Sequence, residues 1–92
     1  MIKLVKALRA KALPDHRLDL VFSDGSAGVL DLKPFVFAEG EVNRPLRDPS
    51  YFARVFVEMG VPTWPNGCDV DPTAARMELE SAGALTPQTG RA

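Results

Sequence analysis

The stretch RLDLVFSDGSAGVLDL, residues 17–32, constrains the fold more than any other part of the chain. Leu18, Leu20 and Phe22 alternate with Arg17, Asp19 and Val21, the period of a strand with one buried face. AGVLDL follows as a second strand, with Ser23-Asp24-Gly25-Ser26 between the two. Two loops compete. A two-residue Asp-Gly turn would pair Phe22 with Ala27 and Leu18 with Asp31, which buries a carboxylate among leucines. A three-residue Ser-Asp-Gly loop, with Gly25 in the left-handed region, pairs Phe22 with Ser26, Leu18 with Leu30 and Leu20 with Gly28. A one-residue slip turns every side chain of a strand to the other face, so burial selects the second register. The spacing therefore predicts a type I turn with a bulge at Gly25.

TWPNGCDVDP, residues 63–72, repeats this grammar. Proline suits the second position of a type I turn, and Gly67 the left-handed position after it. Trp64 then faces Cys68 and Pro62 faces Val70. Trp64, Cys68 and Val70 share one face; Thr63 and Asp69 take the other. VFVEM before Gly60 reads as the preceding strand, and Val61–Trp64 as its return. Pro62 cannot donate to a ladder, so it is expected at an edge.

Two Asp-Pro pairs read as helix starts, the aspartate capping and the proline at the first helical position. Asp48-Pro49 opens a short helix, PSYFARV. Asp71-Pro72 opens PTAARMELESA, with Ala75, Leu79 and Ala82 on one stripe and Gly83 at its C-terminal cap. Residues 33–47 read as an irregular segment over the sheet, anchored by Phe35, Phe37, Val42 and Leu46. Residues 2–12 are ambiguous. Ile2, Val5, Leu8 and Ala12 fit a helix, while Ile2, Leu4, Leu8 and Ala10 fit a strand broken at Lys6.

The expected organisation is one α+β domain over residues 1–83, with an antiparallel β-meander, two short helices and a tail at 84–92. At 92 residues the chain forms one small core. No apolar run approaches the roughly 20 residues of a membrane span. The N-terminus is basic and amphipathic but has neither the continuous apolar core of a secretory signal nor the serines of a transit peptide. Net charge is -1, which argues against direct electrostatic binding of nucleic acid. Cys68 is the only cysteine, so no internal disulfide forms, and a cytoplasmic setting is expected.

Each chemistry-bearing residue has a bland alternative. Asp69 and Asp71 invite a cation, but Pro72, Thr73 and two alanines follow where further oxygen ligands are needed. A cap at Asp71 and a solvated Asp69 account for both. Cys68 as nucleophile needs a base, and the one imidazole, His16, lies in a loop about fifty positions away. One His and one Cys fall short of a structural zinc set. Asp19 and Asp31 lie on the face opposite the leucines and read as solvated acids. Arg44 and Arg47 flank Pro45-Leu46, with Arg47 able to pair with a nearby carboxylate. Lys3, Lys6, Arg9 and Lys11 meet no acid before Asp15. They suit either phosphate contacts or a charged strand that resists edge-to-edge aggregation. Trp64 is core or an exposed recognition aromatic, with core favoured in so small a domain.

LPDHRLDLVFSDGSAGVLDL, RPLRDPSYFARV and TWPNGCDVDP, in this order and spacing, resemble the domain-of-unknown-function 2442 family over roughly residues 2–75. Pro62 departs from the family's usual EFGTVVWPNG, here EMGVPTWPNG. The resemblance implies a small bacterial protein with an α+β fold, and makes residues 2–12 a strand. It brings no enzymatic activity and no catalytic residues. Some similar proteins carry a fused helix-turn-helix domain, which this chain is expected to lack. Others sit beside a second gene in toxin–antitoxin-like arrangements. The expected function is a non-catalytic interaction or regulatory module that binds another protein or itself and needs no cofactor. Its candidate surface is Lys3, Lys6, Arg9 and Lys11 with Phe35, Phe37, Tyr51 and Trp64. The alternatives are a small-molecule or metal site near His16, Cys68, Asp69 and Asp71, and a DNA-associated regulator using the basic N-terminal segment.

Overall fold

A computed structural model describes residues 4–86. Its centre is an antiparallel sheet, β1 (Ala7–Leu13), β2 (Arg17–Phe22) and β3 (Ala27–Asp31), in the order β1-β2-β3. The β2–β3 register is the one burial selects: Leu18 opposite Leu30 and Leu20 opposite Gly28. Phe22 N–H donates to Ser26 O at 2.8 Å, and Gly25 takes φ 89°. Leu18, Leu20 and Phe22 are fully buried.

The second hairpin copies the first. Trp64 N–H donates to Cys68 O at 2.8 Å, and Gly67 also has φ 89°. The two turns share a side-chain clasp as well. Asp24 Oδ1 accepts from Ser26 N–H at 3.0 Å, and Asn66 Oδ1 accepts from Cys68 N–H at 3.1 Å. β4 (Phe56–Glu58) and β5 (Val61–Thr63) pair with each other rather than joining the larger sheet. A backbone bond, Ala7 N–H to Gly60 O at 2.8 Å, links their turn to β1. Pro62 is not at an open edge. It is buried between β4 and residues 68–70, and its carbonyl accepts from Val70 N–H at 3.0 Å. A hydrogen-bonded pair normally exchanges two bonds; here the proline supplies one.

α1 (Lys33–Val36) occupies part of the segment expected to be irregular, and a 3₁₀ turn (Arg44–Arg47) ends it. Val36 and Leu46 are fully buried, whereas Phe37 and Val42 are more than half exposed. The anchors are therefore Val36 and Leu46, with Phe35 half-buried. α2 (Pro49–Phe52) and α3 (Pro72–Ser81) both start as their Asp-Pro pairs require. Asp48 Oδ1 accepts from Ser50 N–H, and Asp71 Oδ1 accepts from Thr73 N–H. The cap hydrogen bonds hold the Asp48 carboxyl below the ordinary range, chiefly through the Ser50 hydroxyl and amide. α2 is one turn, shorter than PSYFARV.

α3 ends in a Schellman motif: Gly83 N–H donates to Glu80 O and Ala84 N–H to Leu79 O. Ala75 and Leu79 face the core, but Ala82 is exposed, because the helix has already ended at Ser81. Anchoring does not stop at Gly83. Thr86 exchanges two backbone bonds with Ala27, at 2.7 and 2.9 Å, and Leu85 packs on the core. Residues 87–92 of the expected tail lie outside the described residues.

Gly28 sets how closely α3 approaches β3. A methyl group there would meet Leu79 Cδ1 at 2.9 Å and Ala84 O at 3.0 Å. Gly28→Ala is expected to cost about 1–3 kcal/mol by overpacking, read as a lowered urea midpoint. Recovery of at least half of that loss in Gly28→Ala/Leu79→Val is the check on the mechanism. No recovery would mean the cost arises elsewhere.

Candidate functional site

β1 presents an exposed polar face at one edge of the sheet. Its pairing with β2 slips at Leu8, the extra residue of a bulge. After the bulge, Ala10 faces Leu20 and Ala12 faces Leu18 on the core side. Arg9 faces Val21 and Lys11 faces Asp19 on the solvent side. The alternation of antiparallel ladders fixes which backbone groups point outward. Leu18, Leu20 and Phe22 spend their N–H and C=O groups on β3, so Ala12, Ala10 and Ala7 turn theirs away from β2. Ala7 bonds Gly60. Among the described residues, no backbone group from outside the sheet reaches Ala10 or Ala12.

A cleft of about 250 Å³ lies at the far end of this edge, walled by Ala12, Leu13, Pro14, His16, Pro49, Phe52 and Ala53 among others. His16 shapes it. Asp15 and His16 both take left-handed backbone, φ 65° and 56°, a region in which Asp and His are enriched among non-glycine residues. His16 Nε2 lies 2.9 Å from Arg47 O. A carbonyl only accepts, so Nε2 carries the hydrogen. The ring stands edge-on to Phe37 and Phe52, at 5.3 and 5.2 Å between centroids. Arg47 donates to Val36 O and Ala38 O, each at 3.2 Å. It closes the end of α1 instead of pairing with a carboxylate.

The structure does not gather the residues of the alternative site. His16 lines the first cleft, whereas Asp69 and Asp71 line a separate groove of about 170 Å³ with Leu30, Phe35 and Glu78. Among the described residues, no group of three or more His, Cys, Asp or Glu is placed to hold a metal ion. Cys68 is 5% exposed, and burial followed by the Asp69 charge pushes its thiol up from 9.0. The thiolate is the reactive form. Native Cys68 is therefore expected to react with a thiol reagent at least about tenfold more slowly than in urea. Equal rates would show a more open site.

Of the proposed surface, Lys6, Arg9 and Lys11 are exposed. Lys3 lies outside the described residues. Phe37 is 53% exposed, though its ring packs at a right angle to that of His16 and Arg47 stands over it at 5.5 Å. Phe35 and Tyr51 are half-buried. Trp64 is not a surface residue. It is fully buried, its Nε1–H donates to Phe52 O at 2.9 Å, and its ring lies 5.5 Å from that of Phe52. Exposed apolar side chains accompany these cations near β1: Leu4 at 82% and Leu8 at 64%, both within the expected edge segment 2–12, and Met59 at 89%, outside it.

A polar cluster also escaped the sequence. Arg76 Nε on α3 lies 3.0 Å from Asp24 Oδ2 in the β2–β3 turn, with both side chains 13% exposed. Ser26 Oγ donates to Asp24 Oδ1, and Arg76 also reaches Ser26 Oγ and Glu80. Burial pushes the Asp24 carboxyl up, but the Ser26 bonds and the Arg76 charge outweigh it and hold the pKa at about 2. This cluster joins two elements, and its residues line neither of the clefts described above; its role is to lock α3 to the turn.

No helix among the described residues is long and apolar enough to cross a membrane. No curated protein and no solved structure matches the chain. The family model described as "Protein of unknown function (DUF2442)" matches residues 7–74, from the start of β1 into α3. That span holds both glycine-turn hairpins and both Asp-Pro caps, and the chain belongs to this family.

Proposed function

We propose that this chain is a non-catalytic protein-interaction module of the bacterial cytoplasm, acting as one subunit of a two-gene, toxin–antitoxin-like system. The observation that carries the reading is the outer edge of β1, whose backbone is open at Ala10 and Ala12 and whose neighbours include exposed Leu8, Arg9 and Lys11. Unpaired strand backbone beside exposed leucines is the chemistry of a protein contact. The gene-neighbour part of the reading comes from resemblance alone.

The test is co-expression with the product of the adjacent gene, followed by light scattering on the eluted species. A stable complex of defined stoichiometry is expected. A strictly monomeric protein that captures no such product would sink the reading. The competing small-ligand reading centres on the His16 cleft, which at about 250 Å³ falls just short of the roughly 300–1,000 Å³ of drug-sized sites. Direct DNA binding by Lys6, Arg9 and Lys11 has to contend with Asp19, which stands opposite Lys11. A mobility shift at low salt would favour it.

A further inference from the structure

We propose that the β1 edge and the His16 cleft together form a docking slot for an extended protein segment in which acidic and apolar residues alternate. The proposal rests on the interaction-module reading and names its partner chemistry.

The slot has a defined length. The Ala7–Gly60 bond closes it at one end, and the Pro14–His16 loop closes it at the other. Between them Ala10 and Ala12 offer outward N–H and C=O groups, which an added strand satisfies. Side chains of an added strand alternate between the two faces of the sheet. On the solvent face they stand beside Arg9 and Lys11, both exposed. On the core face they meet Ala10 and Ala12 and the cleft that Phe52 and Ala53 wall. The first face asks for carboxylates and the second for aliphatic groups. Between residues 4 and 14 the chain carries no acid; across the ladder Lys11 already faces Asp19, whereas Arg9 faces Val21 and has no acid opposite it, so the two cations outnumber the one acid of this face.

The same charges decide against a second copy of this chain. Antiparallel pairing of two β1 edges that sets Ala10 opposite Ala12 puts Lys11 directly opposite Lys11. Pairing Ala10 with Ala10 puts Arg9 opposite Lys11, and pairing Ala12 with Ala12 sets Ala10 opposite Pro14, which has no N–H to share. Like charges directly opposite are destabilising. Charge complementarity therefore selects an acidic partner.

The probe is a capped hexapeptide of alternating glutamate and valine, compared with its lysine–valine counterpart, against the whole protein. The glutamate peptide is expected to bind and to shift and protect the amides of Ala10 and Ala12. Arg9→Glu/Lys11→Glu, two exposed changes, is expected to weaken it at least about tenfold and to favour the lysine peptide. Equal binding of both peptides, or binding that leaves those amides unmoved, overturns the slot. So does dimerisation that protects the same amides, since it assigns the edge to a second copy. An adjacent-gene product that binds wild type and Arg9→Glu/Lys11→Glu alike, without protecting Ala10 and Ala12, overturns the slot while leaving the interaction-module reading intact.

Discussion

Trp64→Ala is expected to cost about 3–5 kcal/mol of folding stability. A domain of this size has only about 5–15 kcal/mol to lose. Trp64 is fully buried and packs against Phe52, so truncation leaves a cavity the small core has little means to refill. Its Nε1–H also serves Phe52 O at the end of α2. The indole thus ties the second hairpin to the helix that walls the His16 cleft. Trp64→Phe separates the two contributions. It keeps most of the ring and loses the donor, and is expected to cost about 1–3 kcal/mol. Urea unfolding followed by far-ultraviolet circular dichroism is the measurement, because Trp64 is the only tryptophan and its fluorescence goes with it. A loss under about 1 kcal/mol for Trp64→Ala would contradict its place in the core.

What the sequence disclosed was local. Both hairpins and both caps are decided within four or five residues, by a glycine that tolerates positive φ and an aspartate beside a proline. Leu18, Leu20 and Phe22 could be assigned to one face because nothing interrupts their alternation. β1 resisted reading for a specific reason. Before the bulge the inward residues are Val5 and Ala7; after it they are Ala10 and Ala12. The extra residue, Leu8, changes odd parity to even, and the merged pattern matches neither helix nor strand. α1 was hidden because its support is remote. Arg47 and Asn43 cap the carbonyls of Val36 and Phe35 from 11 and 8 positions away.

The candidate site divides the same way. A run of cations without acids marks Lys6, Arg9 and Lys11 as a basic surface whether the segment is helix or strand. The cleft beside them needs Phe52 and Ala53 brought to Ala12 and His16, a tertiary event with no motif. Trp64 falls with the candidate surface on sequence alone because an aromatic after a strand fits a recognition face as well as a core. The hydrogen bond to Phe52 O, 12 positions away, resolves it. Asp24 read as a turn residue, which it is. Its second role depends on Arg76, 52 positions along the chain.

That second role predicts an acid transition. The Asp24 carboxyl sits at about 2 in the folded protein against 3.8 unfolded. A folded pKa below the unfolded one adds stability that is complete above the unfolded value and is lost as pH falls toward the folded value. The window is therefore about pH 4 down to 2, and the loss about 2 kcal/mol. Asp31 and Asp48 are also lowered, Asp31 chiefly by the backbone and side-chain hydrogen bonds of Lys33. They slope the same way, so the wild-type curve alone does not isolate Asp24. Asp24→Asn does: it keeps an acceptor for Ser26 N–H and removes the charge. Its stability is expected to fall less between pH 4 and 2 than that of wild type, by about 2 kcal/mol. Arg76→Met removes the cation from a mostly buried pair and is expected to cost about 3 kcal/mol at neutral pH. In the double variant the losses should fall short of additivity, because one substitution has already removed what the other would break. Additive losses, or an acid slope unchanged in Asp24→Asn, would show that the pair does not hold α3 to the turn.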